Sequence, residues 1–208
     1  MIKSVLHGKD YEALNILIPL HCKAPDPKIL DCTWGKGTMW NKANYQPCEC
    51  TDVQDLPGIT HQIDFTRLHT CFSQQFDVVV FDPPHLPGAA ASEHSACPMV
   101  GRFGLDHSLA GDNVNGFFEP ALTSIKQVLE PGGIVLVKIA DLIHNHAYQW
   151  QQVEVVLAAR AVGLTPCDML IKCDPSAGNL TSSKWENQYH LRKAHCYWIV
   201  LRKGGCER

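Results

Sequence analysis

The chain has 208 residues, of which 45% are hydrophobic and 19% charged; this suits one folded domain and excludes a disordered or collagen-like polypeptide. The formal net charge of -3 speaks against a protein that wraps duplex DNA through many Lys and Arg contacts. The longest apolar runs, such as Val78 to Phe81 and Ile134 to Val137, fall far short of the ~20 residues that a membrane span requires.

Near the start, Lys3, Lys9, Asp10 and Glu12 interrupt Met1 to Leu20, which breaks up any secretory leader and predicts a cytoplasmic protein. Short β-rich runs then alternate with amphipathic stretches, the pattern of a doubly wound α/β sheet. Strands are predicted at Lys28 to Cys32, Pro47 to Thr51, Thr60 to Ile63 and Asp77 to Phe81. A helix over Gly116 to Leu129 carries Phe117, Ala121, Leu122, Ile125 and Val128 at helical spacing and packs one side on the sheet. The turn Pro131-Gly132-Gly133 ends it and introduces a fifth strand, Ile134 to Ile139. A second long helix is predicted from Ala147 to Ala161, closed by Gly163, and Pro166 to Lys172 and His195 to Arg202 complete seven strands.

The stretches Leu86 to Asn115 and Cys173 to Lys193 lack periodicity and follow strand ends, where the ligand-facing loops of an open α/β sheet lie. They are the candidate substrate loops of a single domain spanning 1–208. Between Lys172 and Lys203, six basic residues stand against Asp174 and Glu186, a local charge of +4 that suits a polyanion or an ordinary solvated face. The ten cysteines contain no CxxC pair, so reduced thiols are expected rather than a zinc knuckle. Cys48 and Cys50 are expected side by side on one strand face, and His144 and His146 in a loop or helix start; no metal site is predicted.

Two motifs carry chemistry. In Ile29-Leu30-Asp31-Cys32-Thr33-Trp34-Gly35-Lys36-Gly37, a buried strand runs into an acid and then a glycine-rich turn, whose backbone can approach a ligand closely. The spacing is not that of a P-loop, nor does it supply the third glycine of a dinucleotide fingerprint. It resembles the Asp-x-x-x-Gly-x-Gly motif of class I S-adenosyl-L-methionine-dependent methyltransferases, which have a Rossmann-like fold. The resemblance implies a cofactor-binding loop with Asp31, Thr33, Trp34, Gly35 and Gly37. Asp52 stands 21 residues after Asp31, about where a Rossmann-like site has its ribose-binding acid; Glu49 competes for the role. Asp64-Phe65 resembles the acid-aromatic pair that flanks the adenine in this family.

The second motif is Asp82-Pro83-Pro84-His85, delivered by the apolar strand before it. Consecutive prolines fix their own φ and restrict the residue before each, so the Asp82 carboxylate and Pro83 carbonyl are held rigidly. Two such acceptors aimed at the N–H bonds of an exocyclic amine would favour its pyramidal, nucleophilic form. The tetrapeptide resembles the [Asp/Asn/Ser]-Pro-Pro-aromatic motif of DNA and RNA amino-methyltransferases, with His85 in place of the usual Tyr, Phe or Trp. That likeness implies catalytic Asp82, Pro83, Pro84 and His85, with Asp82 also on the cofactor side. It implies a nucleic-acid substrate, DNA before RNA and adenine N6 before cytosine N4. His190 to His195, followed by the apolar run ending in Arg202-Lys203, resembles the last strand of small bacterial and phage DNA methyltransferases. In the same group a helix like Lys9 to Leu20 closes over the methionine end of the cofactor. No separate recognition domain is apparent, so target choice would fall to the two loops, to a second copy of the chain or to a specificity partner. The competing readings are a cytosine N4, RNA or small-molecule methyltransferase, or a cofactor-binding subunit without catalysis.

Overall fold

The computed structural model describes residues 2–73, 75–83, 116–144, 147–173, 190–191 and 193–206. Eight strands form one sheet in the order β1 (Val5–His7), β9 (Thr165–Cys173), β10 (His195–Arg202), β6 (Leu129–Ile139), β5 (Phe76–Phe81), β2 (Ile29–Asp31), β3 (Glu49–Asp52) and β4 (His61–Gln62). β10 runs antiparallel to both its neighbours, and every other pairing in the sheet is parallel. From β2 the chain first adds β3 and β4 on one side, then crosses to place β5 and β6 on the other. Such a reversal opens a crevice at the C-terminal ends of the strands.

Alternation along the strands builds two cores. Val79, Val135, Val137, Ile199 and Leu201 face α2 (Phe118–Val128) and α3 (Gln151–Ala161). Val78, Val80, Ile134, Leu136, Trp198 and Val200 face α1 (Asp10–His21). Consecutive strand residues point to opposite faces, so strands that are apolar on both faces must be covered on both, as in a doubly wound architecture. α2 buries Phe118, Ala121, Leu122, Ile125 and Val128, the stripe that helical spacing demands. α1 starts where the Glu12 carboxylate accepts from the Lys9 backbone N–H at 2.7 Å, and it buries Ala13, Leu14, Leu17 and Ile18.

The α/β class is as expected, and five details are corrected. The sheet has eight strands rather than seven, because β1 exists by pairing with the edge of β9 (Val5↔Ile171); three residues are too few to show a period. Pro131 to Gly133 lies within β6, where the register with β5 slips between Phe76 and Val78. Gly132 takes φ 79° there and its N–H donates to Lys203 O, while the Lys203 N–H donates to Gly133 O. Ala147 to Gln149 is not helix but β8, paired antiparallel with β7 (Leu142–His144), and α3 begins only at Gln151. Cys48 precedes β3 and is exposed, whereas Cys50 lies in it and is buried. Cys167 and Cys206 form a disulfide, with Cα atoms 5.9 Å apart, against the expectation of reduced thiols at those positions. Among the described residues no helix is long and apolar enough to cross a membrane.

Candidate functional site

β2 and β5 are parallel neighbours with Asp31 opposite Val80, so the glycine-rich turn and the diproline corner leave the sheet at the same edge. A hydrogen bond joins them directly: the Asp82 backbone N–H donates to Thr33 Oγ1 at 2.7 Å.

On the turn side, three carboxylates engage the chain itself. Asp31 is fully buried; its Oδ1 accepts from the Thr33 N–H at 2.9 Å and its Oδ2 from Trp40 Nε1 at 2.6 Å. Burial pushes its carboxyl up to about 6, the bonds from Trp40 and Thr33 opposing the rise and the charges of Asp82 and Asp52 adding to it. Asp52 accepts from the Gly35 N–H at 2.9 Å and the Gln54 N–H at 3.0 Å, fastening the turn to the end of β3. Asp64 caps the 3-10 segment Phe65–Thr70, accepting from both the N–H and the hydroxyl of Thr66 at 2.7 Å. Phe65 packs edge-on against Phe81, with ring centroids 5.1 Å apart.

The two glycines of the turn differ. Both have positive φ, 56° at Gly35 and 62° at Gly37, a region costly to residues with a Cβ. A Cβ at Gly37 would run into the Trp34 ring, whereas one at Gly35 would meet nothing within 4 Å. Trp34 itself is pinned by its N–H to Thr51 O and by Nε1 to Pro57 O, both at 3.0 Å. Gly37 is therefore required by packing inside the loop, while the space beside Gly35 is open.

On the other side, Asp82 is half-buried and Pro83 buried; Pro84 and His85 lie outside the described residues. Asp82 Oδ2 receives a 2.9 Å ion pair from Lys138 Nζ, which also contacts Asp10 Oδ2 at 3.2 Å. Lys172 Nζ reaches Asp10 Oδ1 at 2.7 Å. The chain Lys172, Asp10, Lys138, Asp82 thus links β9, the first turn of α1, β6 and the end of β5. Burial alone would lower the Lys138 pKa, but the charges of Asp82 and Asp10 and the hydrogen bond to Asp82 outweigh it and hold the ammonium above its ordinary range. Sequence reading missed Lys138, Asp10 and Lys172. The available signal was a lysine inside the otherwise apolar Ile134 to Ile139 run, since a charge in a buried strand needs a partner.

Of the other expectations, Glu49 faces His61 at 3.5 Å on the surface and takes no part in the turn. His146 and most of the two candidate substrate loops, 86–115 and 173–193, lie outside the described residues.

No family model matches the sequence, and no curated protein does. Solved structures do match in fold. The 1,6-didemethyltoxoflavin-N1-methyltransferase of Burkholderia thailandensis, crystallised with 1,6-didemethyltoxoflavin and S-adenosylhomocysteine, superposes with a TM-score of 0.56 at 14% identity, covering 94% of this chain and 79% of that one. A presumed sarcosine dimethylglycine methyltransferase of Galdieria sulphuraria gives 0.57 at 13% identity, covering 93% and 84%. A presumed DNA modification methylase of Thermus thermophilus, in complex with S-adenosyl-L-methionine, gives 0.44 at 14% identity, covering 68% of this chain. The chain spans about half the length of that methylase, 51%. At these identities the likeness establishes the architecture: the chain has the Rossmann-like fold of S-adenosyl-L-methionine-dependent methyltransferases.

Proposed function

We propose that the protein is an S-adenosyl-L-methionine-dependent methyltransferase acting on an exocyclic amino group of a nucleic-acid base, with adenine N6 of DNA the leading target. What carries the reading is the bond from the Asp82 N–H to Thr33 Oγ1, because it brings the turn that would hold the methyl donor against the carboxylate that would hold the acceptor. The cofactor, when bound, supplies an electrophilic methyl on a sulfonium sulfur.

The turn fits such a ligand. Gly35 presents open backbone, and Asp31, Thr33, Trp34 and Gly37 hold that backbone in shape. Asp52 and Asp64, at the ends of β3 and β4, are the acids nearest where a ribose and an adenine would lie, with Phe65 behind. Each already accepts bonds from its own loop, yet an ionised carboxylate has about four acceptor sites, so holding the loop is compatible with holding a hydroxyl or amino hydrogen.

Asp82 and the Pro83 carbonyl act on the acceptor. An amine conjugated into a base ring is a poor nucleophile, and acceptors oriented in advance favour its pyramidal form as positive charge develops. The ion pair with Lys138 fixes the Asp82 carboxylate. With its pKa held high, Lys138 is no proton acceptor; the surplus proton on the methylated amine passes to Asp82 or to water after transfer.

The experiment is to incubate the protein with methyl-labelled cofactor and, separately, duplex DNA, single-stranded DNA, RNA and protein extract, then hydrolyse the labelled pool to nucleosides. Label in N6-methyladenine from DNA is the expected result. Asp82→Ala should lower transfer by about 10²–10³-fold, the scale for losing one pre-oriented stabilising group, while calorimetry shows cofactor binding retained. An unchanged rate would remove Asp82 from the chemistry, and label in none of the pools would favour a binding subunit.

A further inference from the structure

Beyond Lys138, β6 ends at Ile139 and leads into the β7–β8 hairpin, where a second polar cluster is assembled. Asp141 is buried, and its carboxylate accepts from Tyr148 Oη at 2.8 Å, the Gln152 N–H at 3.1 Å and Tyr197 Oη at 3.4 Å. His195 Nε2 lies 3.0 Å from Tyr197 Oη. Burial, helped by Asp141, pushes both phenols up to about 12, so they remain donors and the clamp persists at neutral pH. On this fixed base, the Trp150 ring lies 4.5 Å from that of Tyr148 and is tilted 47° to it, while Lys193 Nζ sits 3.9 Å from the Tyr148 centroid.

Trp150 is 57% exposed. The cluster shares the catalytic edge of the sheet. β10 runs antiparallel, so its first residues stand at the C-terminal ends of β5 and β6, with Tyr197 opposite Ile139 and Trp198 opposite Lys138. The backbones of Asp82 and Tyr197 are thus about two strand spacings, roughly 10 Å, apart, with Tyr197 on the α2/α3 face of that edge and Lys138, the partner of Asp82, on the α1 face. An exposed aromatic held rigid beside a cation is what sequence-tolerant binding of single-stranded nucleic acid uses, the ring stacking a base and the cation meeting the phosphate backbone.

We infer that Trp150, braced by Tyr148, whose ring also carries Lys193, is a stacking shelf for an unpaired base next to the target nucleotide. This rests on the nucleic-acid reading of the catalytic edge and extends it to a strand that is single-stranded or locally opened.

The test uses the whole chain and a dye-labelled, mixed-sequence single-stranded oligonucleotide, as DNA and as RNA, read by anisotropy and by tryptophan emission. Trp150→Ala should weaken binding roughly 5- to 100-fold, the range for losing one base–aromatic stack, and Trp150→Phe should retain most of the affinity. The oligonucleotide should quench wild-type emission and quench Trp150→Phe markedly less, a readout independent of any folding defect in the alanine variant. Lys193→Gln should reduce the slope of log affinity against log salt by about 1. Tight binding by wild type that is unaltered in Trp150→Ala, with equal quenching in Trp150→Phe, would overturn the shelf and leave the base-amine reading standing. Binding of neither DNA nor RNA by wild type would overturn both.

Discussion

The two halves of the site use their carboxylates in opposite ways. Around the glycine-rich turn, Asp31, Asp52 and Asp64 accept from backbone N–H groups, a hydroxyl and an indole, and no ion pair involves them among the described residues. Around the diproline corner, Asp82 and Asp10 are paired with Lys138 and Lys172. Neutral donors hold a loop in one shape and leave one carboxyl, Asp31, protonated up to about pH 6. Charged partners make a carboxylate's position depend on another strand. On the proposed function, that difference suits a turn that keeps its form around a cofactor and a corner whose carboxylate meets a developing cation.

Breaking the charged half should have the largest effect. Removing one member of a largely buried pair costs about 3 kcal/mol, and Lys138 and Asp82 are only 15% and 19% exposed, so Lys138→Met should lose stability on that scale. Lys138→Arg, which keeps the charge, should recover most of that loss, and a Lys138→Arg variant as unstable as Lys138→Met would reduce Lys138 to packing. The turn comes next. Gly37→Ala combines the left-handed penalty with collision against Trp34 and should cost about 3 kcal/mol in denaturant melts. Gly35→Ala should cost only about 1 kcal/mol yet weaken cofactor binding by calorimetry about tenfold, roughly 1.4 kcal/mol. The reverse ranking would mean that the ligand does not approach at Gly35.

Asp31 gives a pH-dependent effect. Its folded value of about 6 lies above the reference 3.8, so between those values the native state holds a proton that the unfolded chain has lost. Stability from this group therefore falls as pH rises from about 4 to 6, by roughly 3 kcal/mol in all, and is constant above. The difference in unfolding free energy between wild type and Asp31→Asn should carry that slope across that window and be flat at higher pH. Smallest is Glu49→Gln. The Glu49–His61 pair is exposed at 30% and 43%, so the change should stay within about 0.5 kcal/mol and leave cofactor affinity unaltered, which separates Glu49 from Asp52 as the ribose acid.

Much of the turn side was legible because it is local. Asp31, Gly35 and Gly37 fall within seven residues, and positive-φ turns select glycine. The strands were found where both faces are apolar, as in Val78 to Phe81 and Ile134 to Val137. Misreadings came where distant contacts overrode local pattern: β1 needs β9, and Tyr148 is drawn into a hairpin by Asp141, so that α3 starts at Gln151 instead of Ala147. The ion-pair chain was invisible because its members lie at positions 10, 82, 138 and 172 and meet only through strand order.

By itself, then, the sequence determined the α/β class, the two motifs and their order, since these depend on periodicity and on residues a few positions apart. Only the tertiary structure decided that Thr33 meets Asp82, that Lys138, itself paired with Asp10, pairs with Asp82, and that Gly35 rather than Gly37 faces open space. Those are distances across neighbouring strands and packed loops, and register and burial have no expression in any single stretch of chain.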